Sequence, residues 1–419
     1  MDFKFSIFLL FVFLCVRTLT VQGTNENAEK QRLQLGTFDI DVTPPVGHDL
    51  AYDPMVNSWE MGLRAKGIVL TGLEEPIVIV ALDWIGLYNG CHSEFRRALA
   101  SAAGTTTDRV AVHTVHQHDA PRGNLQDDFV LAVIHRLEMA VINSVKNSYP
   151  VTDIGFGKAE VYKVASNRRP LGADGKVIAT RFTTCRDSAL RAEPEGVIDP
   201  KVSLISFWNE NVPLAVMSFY ATHPQSYYRT GIPNPDFPGI ARFFRQLEVP
   251  DALHVHFNGA AGNIGAGKYN DGSHENRLIL ARRLADGMKR AWDATEKYPV
   301  DAASVGWYTE PVVLPIDTSK ENEFAVRYKA GYSTDLQCMA IERGRILFMP
   351  GELFVEYQLA AQRMKSDLFV TMAAYGDGDP GYIPTAEAFP QGGYEIRVTK
   401  MLPEVESVLM EAMKKLLDN

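Results

Sequence analysis

Short apolar runs that end in polar clusters recur along this chain of 419 residues, and they constrain its fold more than any other feature. The run Ile77–Leu82 is apolar at every position, which is typical of a central strand covered on both faces. Ligands gather beyond strand ends in open sheets, so the loops after such runs are candidate positions for a site. The runs that precede polar clusters are 110–112, 214–219, 253–257, 346–349 and 369–372.

Amphipathic helices are predicted between these runs. Apolar residues recur at helical spacing over 127–145, 275–292 and 403–417. Strands mixed with helices predict an α/β fold, with mixed β-sheets flanked by helices, and an α+β fold is the alternative. Because no internal repeat or long linker is visible, we expect one large catalytic domain over 34–419, with its active site in the strand-end loops.

The N-terminal residues have the pattern of a signal peptide. Lys4 precedes an apolar stretch over 5–14, and small or polar residues follow up to Gly23. We therefore expect a signal peptide over 1–23, a flexible leader over 24–33, and a secreted or periplasmic protein. An uncleaved anchor is the alternative, although the stretch is short for a bilayer span of about 20 residues.

Charge and cysteine content exclude several classes of function. The formal net charge is -9 and no long Lys/Arg block occurs, so we expect no nucleic-acid partner. After the signal peptide only Cys91, Cys185 and Cys338 remain, which allows at most one disulfide. There is no C-x-x-C pair, which argues against a thiolate metal site.

Two histidine segments follow apolar runs and suggest a metal centre. His113, His116 and His118 lie within six residues, and His223 belongs to the second segment. Catalytic zinc takes imidazole and carboxylate ligands and keeps one position for water, which ionises near neutral pH. Two histidines and a glutamate suffice. On a strand His116 and His118 would share a face, whereas on a turn one could bind metal and the other could handle protons.

Several motifs, in the same order over most of 34–419, resemble those of the neutral/alkaline non-lysosomal ceramidase family. The family's opening motif G-x-x-D-I-T-P-P resembles Gly36-Thr37-Phe38-Asp39-Ile40-Asp41-Val42-Thr43-Pro44-Pro45, and its motif S-H-T-H-S-G-P is similar to Val115-His116-Gln117-His118-Asp119-Ala120-Pro121. Its motif N-R-S-P resembles Asn167-Arg168-Arg169-Pro170, and A-V-H-P-T-S resembles Ala221-Thr222-His223-Pro224-Gln225-Ser226. Near the C-terminus P-G-E resembles Pro350-Gly351-Glu352, H-Y-I-T-T resembles Tyr382-Ile383-Pro384-Thr385, and R-Y-E resembles Tyr394-Glu395. The joint order of the motifs carries the resemblance.

The resemblance implies roles for these residues. The implied zinc ligands are His116, His223, Glu352 and Tyr382. It implies that His118 contacts the substrate near the reacting carbonyl, that Tyr394 hydrogen-bonds the developing oxyanion, and that Arg168 orients the substrate. Preformed donors at the oxyanion and a metal-activated water are what amide cleavage requires.

One loop departs from the family pattern. The family has N-x-G-D-V-S-P-N, with an active-site serine, where this chain has Asn263-Ile264-Gly265-Ala266-Gly267-Lys268-Tyr269-Asn270. Ala266 replaces the acid and Lys268 replaces the serine, so a serine nucleophile at that position is excluded. We assign Lys268 to the site as a candidate for binding an anionic substrate group, and a solvated loop lysine is the alternative.

The sequence therefore predicts a secreted, zinc-dependent hydrolase that cleaves the amide bond of a small-molecule or lipid N-acyl substrate. The alternatives are a zinc esterase or deacetylase acting on another extracellular substrate, and a catalytically silent relative that binds a lipid or a glycan. We expect at most peripheral contact with membranes, and no protein partner is predicted.

Overall fold

The computed structural model describes residues 32–320 and 322–419. The predicted signal peptide, 1–23, and the predicted leader as far as residue 31 lie outside these residues. Leu33 is fully buried, and its carbonyl accepts the N–H of Val151 at 2.9 Å. The folded domain therefore includes the last residue of the predicted leader.

A strand contains all or nearly all of each predicted apolar run, further strands lie between them, and several of these have only two residues. They are β1 Gln34–Asp41, β2 Arg64–Thr71, β3 Ile77–Leu82, β4 Gly86–Leu87, β5 Val110–Thr114, β6 Arg122–Gly123, β7 Tyr149–Pro150, β8 Asp153–Glu160, β9 Ser166–Asn167, β10 Lys201–Asn209, β11 Val212–Tyr220, β12 Leu253–Asn258, β13 Ile264–Gly265, β14 Glu296–Pro299, β15 Val305–Leu314, β16 Tyr332–Ile341, β17 Gly344–Phe348, β18 Glu352–Leu353, β19 Phe369–Ala373 and β20 Tyr382–Ile383.

The three predicted amphipathic helices are confirmed as α2, α5 and α10. The helices are α1 Cys91–Ala103, α2 Asp128–Lys146, α3 Ser188–Ala192, α4 Asp236–Glu248, α5 Glu275–Asp293, α6 Glu323–Arg327, α7 Val355–Met364, α8 Ala388–Gln391, α9 Tyr394–Val398 and α10 Val405–Asp418. The start of α2 shows why the boundary falls there, because the Asp127 carboxylate accepts the N–H of Phe129.

Mixed sheets flanked by helices confirm the predicted α/β fold class. The first sheet has the strand order β5-β3-β2-β1-β7, the second β12-β11-β10-β8-β14, and the third β15-β16-β17-β19. Each sheet contains three successive antiparallel strands and then one parallel strand, which pairs β3 with β5, β11 with β12, and β17 with β19.

The three sheets repeat one connection, which the sequence did not reveal. In each sheet a helix, namely α1, α4 or α7, joins the third antiparallel strand to the parallel strand and packs against the latter. A second helix, α2, α5 or α10, follows the parallel strand and packs on the first strand of the same sheet. The sequence contains no visible internal repeat, so this threefold arrangement is a feature that only the structure reveals.

The central core lies between the inner faces of the three sheets. The run Ile77–Leu82 shows the arrangement, because Ile79 belongs to this inner core and Val78 belongs to the layer between the first sheet and α1 and α2. Full burial of one such side chain stabilises the fold by about 1.5–3 kcal/mol. Burial on both faces explains why the run is apolar at every position.

The ends of the three parallel strands meet at one place. The Thr114 N–H, at the end of β5, donates to the carbonyl of Tyr375, just beyond β19. The Ala374 N–H donates to the carbonyl of Asn258, the last residue of β12. Segments that follow strands of different sheets are therefore brought together, and both histidine segments are among them.

Two further observations concern the redox state and membranes. Cys91, Cys185 and Cys338 are buried free thiols, so the one disulfide that the sequence allowed does not form among them. Over 32–320 and 322–419, no helix combines the length and the hydropathy that crossing a membrane requires.

Candidate active site

The two histidine segments meet beyond the strand ends. His116 follows β5 of the first sheet and His223 follows β11 of the second. One ring nitrogen from each of His116, His118 and His223 lies within 4.8 Å of the others. The predicted convergence of the histidines on one place is therefore present in the structure.

Backbone carbonyls fix the protonation of two of these rings. Nδ1 of His116 lies 2.6 Å from the carbonyl oxygen of Ile85, and Nδ1 of His223 lies 2.7 Å from that of Ala261. A carbonyl can only accept, so each Nδ1 carries a proton, and in the neutral form of each ring Nε2 has the lone pair that can bind a metal. Metal-binding histidines typically donate such a hydrogen bond from the ring nitrogen that does not bind the metal.

Glu352 completes a set of three acceptors that face one another. Its Oε2 lies 3.2 Å from Nε2 of His223 and 3.5 Å from Nε2 of His116. With neutral rings no proton lies between these atoms, and both the Glu352 Oε2 and the His223 Nε2 are buried without a hydrogen-bond partner among the described residues. A buried unpartnered acceptor costs about 1–3 kcal/mol, and a cation bound to all three would remove that cost.

The two distances from Glu352 suit a tetrahedral cation. Ligands bound about 2.0–2.1 Å from a tetrahedral zinc ion lie about 3.3 Å from each other, close to the distances at Glu352. His116, His223 and Glu352 thus fit a metal ion in both chemistry and spacing.

The electrostatics keep these groups in the form that binds metal. Burial lowers the pKa of His116 to about 4 and that of His118 well below its ordinary value. Burial opposes ionisation of Glu352, but interactions with its neighbours, among them the Arg168 guanidinium, lower its pKa to about 2. At neutral pH His116 and His118 are therefore uncharged and the carboxylate is ionised, as metal binding requires.

A two-stranded parallel sheet places Tyr382 beside Glu352. The two residues are direct partners in the pairing of β18 with β20. The ring of Tyr382 lies 6.4 Å from that of His223 at an interplanar angle of 18°. The structure thus brings all four predicted metal residues together.

Arg168 and Tyr394 line the same site. The Arg168 guanidinium carbon lies 5.2 Å from the centre of the Tyr382 ring and 5.7 Å from that of Tyr394. Its Nη2 is buried without a partner among the described residues. Burial raises the pKa of the Tyr382 and Tyr394 hydroxyls, so each keeps its proton at neutral pH. Each hydroxyl can therefore donate a hydrogen bond to a developing negative charge.

Glu395 holds Arg168 in position, a role that could not be predicted for it from the sequence. The fully buried Glu395 carboxylate accepts from Nε of Arg168 at 2.7 Å and from Nη1 of Arg169 at 2.8 Å. Buried charges are retained when paired, and two adjacent buried arginines require such a carboxylate. The position of Glu395 directly after Tyr394 was the available signal.

His116 and Tyr375 both adopt a left-handed backbone conformation. Their φ angles are +70° and +62°, and their rings lie 4.6 Å apart. Such conformations cost of order 1–3 kcal/mol in a residue other than glycine, and they cluster at functional sites. The Tyr375 hydroxyl is buried without a described partner, which adds Tyr375 to the site. The sequence placed Tyr375 after an apolar run but gave it no role.

Asp119 connects the two histidine segments. Its carboxylate accepts the N–H of Arg229 at 2.8 Å and the hydroxyl of Thr230 at 2.8 Å. Asp119 directly follows His118, while Arg229 and Thr230 follow the segment of His223. This contact fixes one segment against the other, and its partners are too far apart in sequence to be recognised there.

Lys268 is the predicted site residue that the structure does not bring to the histidines. Its ammonium donates to the carbonyls of Arg191 at 3.0 Å and Ala192 at 3.4 Å, and also to that of Glu193. Arg191 and Ala192 are the last residues of α3, where a cation is favourable. The predicted contact with an anionic substrate group is therefore replaced by a structural one, since the three N–H groups are already engaged.

Solved structures with this architecture are known. The structure is similar to the neutral ceramidase from Pseudomonas aeruginosa, with a TM-score of 0.71 and 15% identity, covering 93% of this chain and 75% of that one. It is also similar to a ceramidase complexed with C2, with a TM-score of 0.68 and 15% identity, covering 92% of this chain and 75% of that one. The chain has the neutral ceramidase fold.

The fold that the motif resemblance implied is thereby confirmed. No protein-family model matches the sequence, and no curated protein matches it. At 15% identity the likeness concerns the fold alone, so the chemistry has to be argued from the residues of this site.

Proposed function

We propose that this protein is a secreted zinc-dependent hydrolase that cleaves the amide bond of an N-acyl substrate. The observation that carries the proposal is the position of the Glu352 Oε2, which lies 3.5 Å from Nε2 of His116 and 3.2 Å from Nε2 of His223, close to the spacing of tetrahedral ligands. Their position in a fold shared with two ceramidases supports an amide as the scissile bond.

His116, His223 and Glu352 would hold the zinc ion, with Tyr382 beside them. Zinc, when bound, supplies a Lewis acid and lowers the pKa of a coordinated water to near neutrality. The fixed Nδ1–H groups of both histidines keep the Nε2 lone pairs directed at that position.

His118 is proposed to move the proton. Both of its ring nitrogens are buried without a hydrogen-bond partner among the described residues, so both are free to act. Because burial and the neighbouring rings keep the imidazole neutral, it can accept a proton from the nucleophile and then donate it to the leaving amine. His118 is also close enough to bind the metal, so its role requires a test.

Arg168, Tyr382 and Tyr394 are proposed to bind the acyl group and the negative charge that develops on its carbonyl oxygen. The phenols can donate hydrogen bonds, and the free Nη2 of Arg168 lies beside them. Hydrogen-bond donors that are fixed in position before the reaction make the largest single contribution to the rate enhancement of many enzymes. Glu395 acts as a positioning residue, because it contacts Arg168 and Arg169.

The proposal is tested by assaying the purified, zinc-loaded protein on matched substrates. The panel contains a ceramide, short N-acyl amides, the corresponding O-acyl esters and an acetylated carbohydrate. We expect hydrolysis of the amides, and we expect His118→Ala to lower kcat by about 10²–10⁴-fold with zinc retained. His135→Ala, which changes an exposed histidine on α2, is the control.

Each other outcome favours a different function. Turnover of the esters or the acetylated carbohydrate alone would favour a zinc esterase or deacetylase. Bound zinc without turnover of any member would favour a silent binding protein. Loss of zinc in His118→Ala would make His118 a ligand instead of the proton carrier.

Secretion is tested separately by N-terminal sequencing of the exported protein, with cleavage near Gly23 expected.

A further inference from the structure

Two partly exposed tyrosines form an aromatic rim beside His118. The Tyr52 ring lies 5.4 Å from the His118 ring, and the Tyr228 ring lies 5.0 Å from it. The two tyrosines contact each other at 5.2 Å, and each is 37% exposed. The rim therefore extends from the proposed proton carrier to the solvent.

Two arginines flank the rim. The guanidinium carbon of Arg229 lies 5.2 Å from the centre of the Tyr52 ring, and that of Arg122 lies 5.8 Å from it. Arg122 also lies 5.7 Å from the ring of Tyr88. A guanidinium that rests on an aromatic face keeps its N–H edge free for an anion, which it can bind through two hydrogen bonds.

Neither arginine is neutralised by the protein. Over 32–320 and 322–419, the guanidinium groups of Arg122 and Arg229 form no ion pair and donate no hydrogen bond. Both side chains are exposed. Asp379 and Glu323 share a cavity of about 540 Å³ with Arg122, but neither forms an ion pair with it among the described residues. Two unpaired cations thus lie at the entrance of a site in a chain whose net charge is -9.

The backbone holds both arginines in place. Arg229 has a φ of +67°, a strained conformation for this residue, and its N–H is bound by the Asp119 carboxylate. Arg122 is the first residue of β6, which pairs with β4, and it lies four residues after His118. Both arginines are therefore attached to the histidine segments themselves, and their distance from the reacting atoms is set by the fold.

We propose that Arg122 and Arg229 bind an anionic group of the substrate. The substrate class is then an N-acyl compound that carries a carboxylate or a sulfonate close to the scissile amide, in place of a neutral head group. The positive potential around two unpaired arginines beside the site attracts an anionic substrate and orients it before the reaction. This inference rests on the proposed amide hydrolysis and specifies its substrate.

The test compares three amides with the same acyl chain: an N-acylglycine, an N-acyltaurine and the neutral N-acylethanolamine. For the wild-type protein we expect a higher kcat/KM for the glycine or taurine conjugate than for the ethanolamide. Arg122→Gln and Arg229→Gln should each lower the ratio of anionic to neutral kcat/KM by about tenfold, mainly through KM. Arg363→Gln removes the same charge from an exposed position on α7 and should leave the ratio unchanged.

Equal use of anionic and neutral amides by the wild-type protein, or an unchanged ratio in both arginine variants, would overturn the inference. Preference for glycine over taurine identifies a carboxylate as the recognised anion, and the reverse identifies a sulfonate. If no amide is hydrolysed, the proposed function fails while the anion site can still be measured. Calorimetric binding of the N-acylglycine to wild type, weakened in both arginine variants, would then uphold the site, and its absence would refute it.

Discussion

Single side chains in this protein have properties that follow from where they are buried. His116, His223 and Glu352 bring three potential acceptors together, an arrangement that a cation bound between them would stabilise. The motifs identified these three, because each lies directly after an apolar run. Asp119 and Glu395 could not be identified in this way, since their partners are more than 100 residues away in the sequence.

Buried histidines outside the site make the stability of the fold depend on pH. Burial lowers the pKa of His113 and His256 to about 3, against an ordinary value of 6.5. Between these values the unfolded chain binds protons that the folded chain does not, so the free energy of unfolding falls as the pH decreases from 6.5 towards 3. At pH 5.5 each of the two histidines lowers stability by about 1.4 kcal/mol relative to pH above 7.

This prediction is checked by denaturant unfolding of wild type and His256→Gln at pH 7.5 and pH 5.5. The variant should lose less stability between the two pH values, because it has no imidazole to protonate on unfolding. The exposed His135→Gln should behave as wild type does. An identical pH dependence in His256→Gln and wild type would show that His256 does not contribute.

At the level of elements, the long strands and helices were predictable and the shortest strands were not. The helices α2, α5 and α10 have a clear apolar period, and β3 is a continuous apolar run. β18 and β20 have two residues each, which is too short for any period, yet their pairing aligns Glu352 with Tyr382. The geometry of the site therefore depends on elements that only the structure shows.

Gly262 is expected to be essential for the position of β18. A Cβ added there would lie 2.2 Å from the carbonyl oxygen of Glu352 and 3.0 Å from its carbonyl carbon. Because backbone atoms cannot yield easily, Gly262→Ala should displace Glu352 and weaken metal affinity by about tenfold or more. Titration of the metal-free protein with zinc measures this.

Gly265→Ala is the matched control on the same loop. A Cβ at Gly265 meets only atoms of Thr183, and none nearer than 3.7 Å, which is an ordinary contact. Zinc affinity in Gly265→Ala should equal that of wild type. Equal affinities in Gly262→Ala and Gly265→Ala would mean that the close approach of Gly262 to β18 has no bearing on the site.

Residues 32–320 and 322–419 repeat one arrangement of strands and helices three times, with the candidate site where the three copies meet. His116 follows a strand of the first sheet, His223 one of the second, and Glu352 and Tyr375 follow strands of the third. The repeat was not predictable, because the three copies share a pattern of elements and no motif. The loops of very different length between their strands hide even that pattern.

A site built from three sheets exists only in the folded chain, so metal binding and folding should be coupled. Zinc should raise the thermal unfolding temperature of wild type and have a smaller effect on variants that lack a ligand. The exposed His135→Gln should respond to zinc as wild type does.

The most direct test of the metal centre is the zinc content of the purified full-length protein, measured by elemental analysis for wild type, His116→Gln and His223→Gln. We expect about one zinc per chain in wild type and His135→Gln, and much less in the two ligand variants, with circular dichroism showing that both remain folded. Wild-type protein that holds no zinc after incubation with the metal, or folded ligand variants that hold as much as wild type, would contradict the assignment.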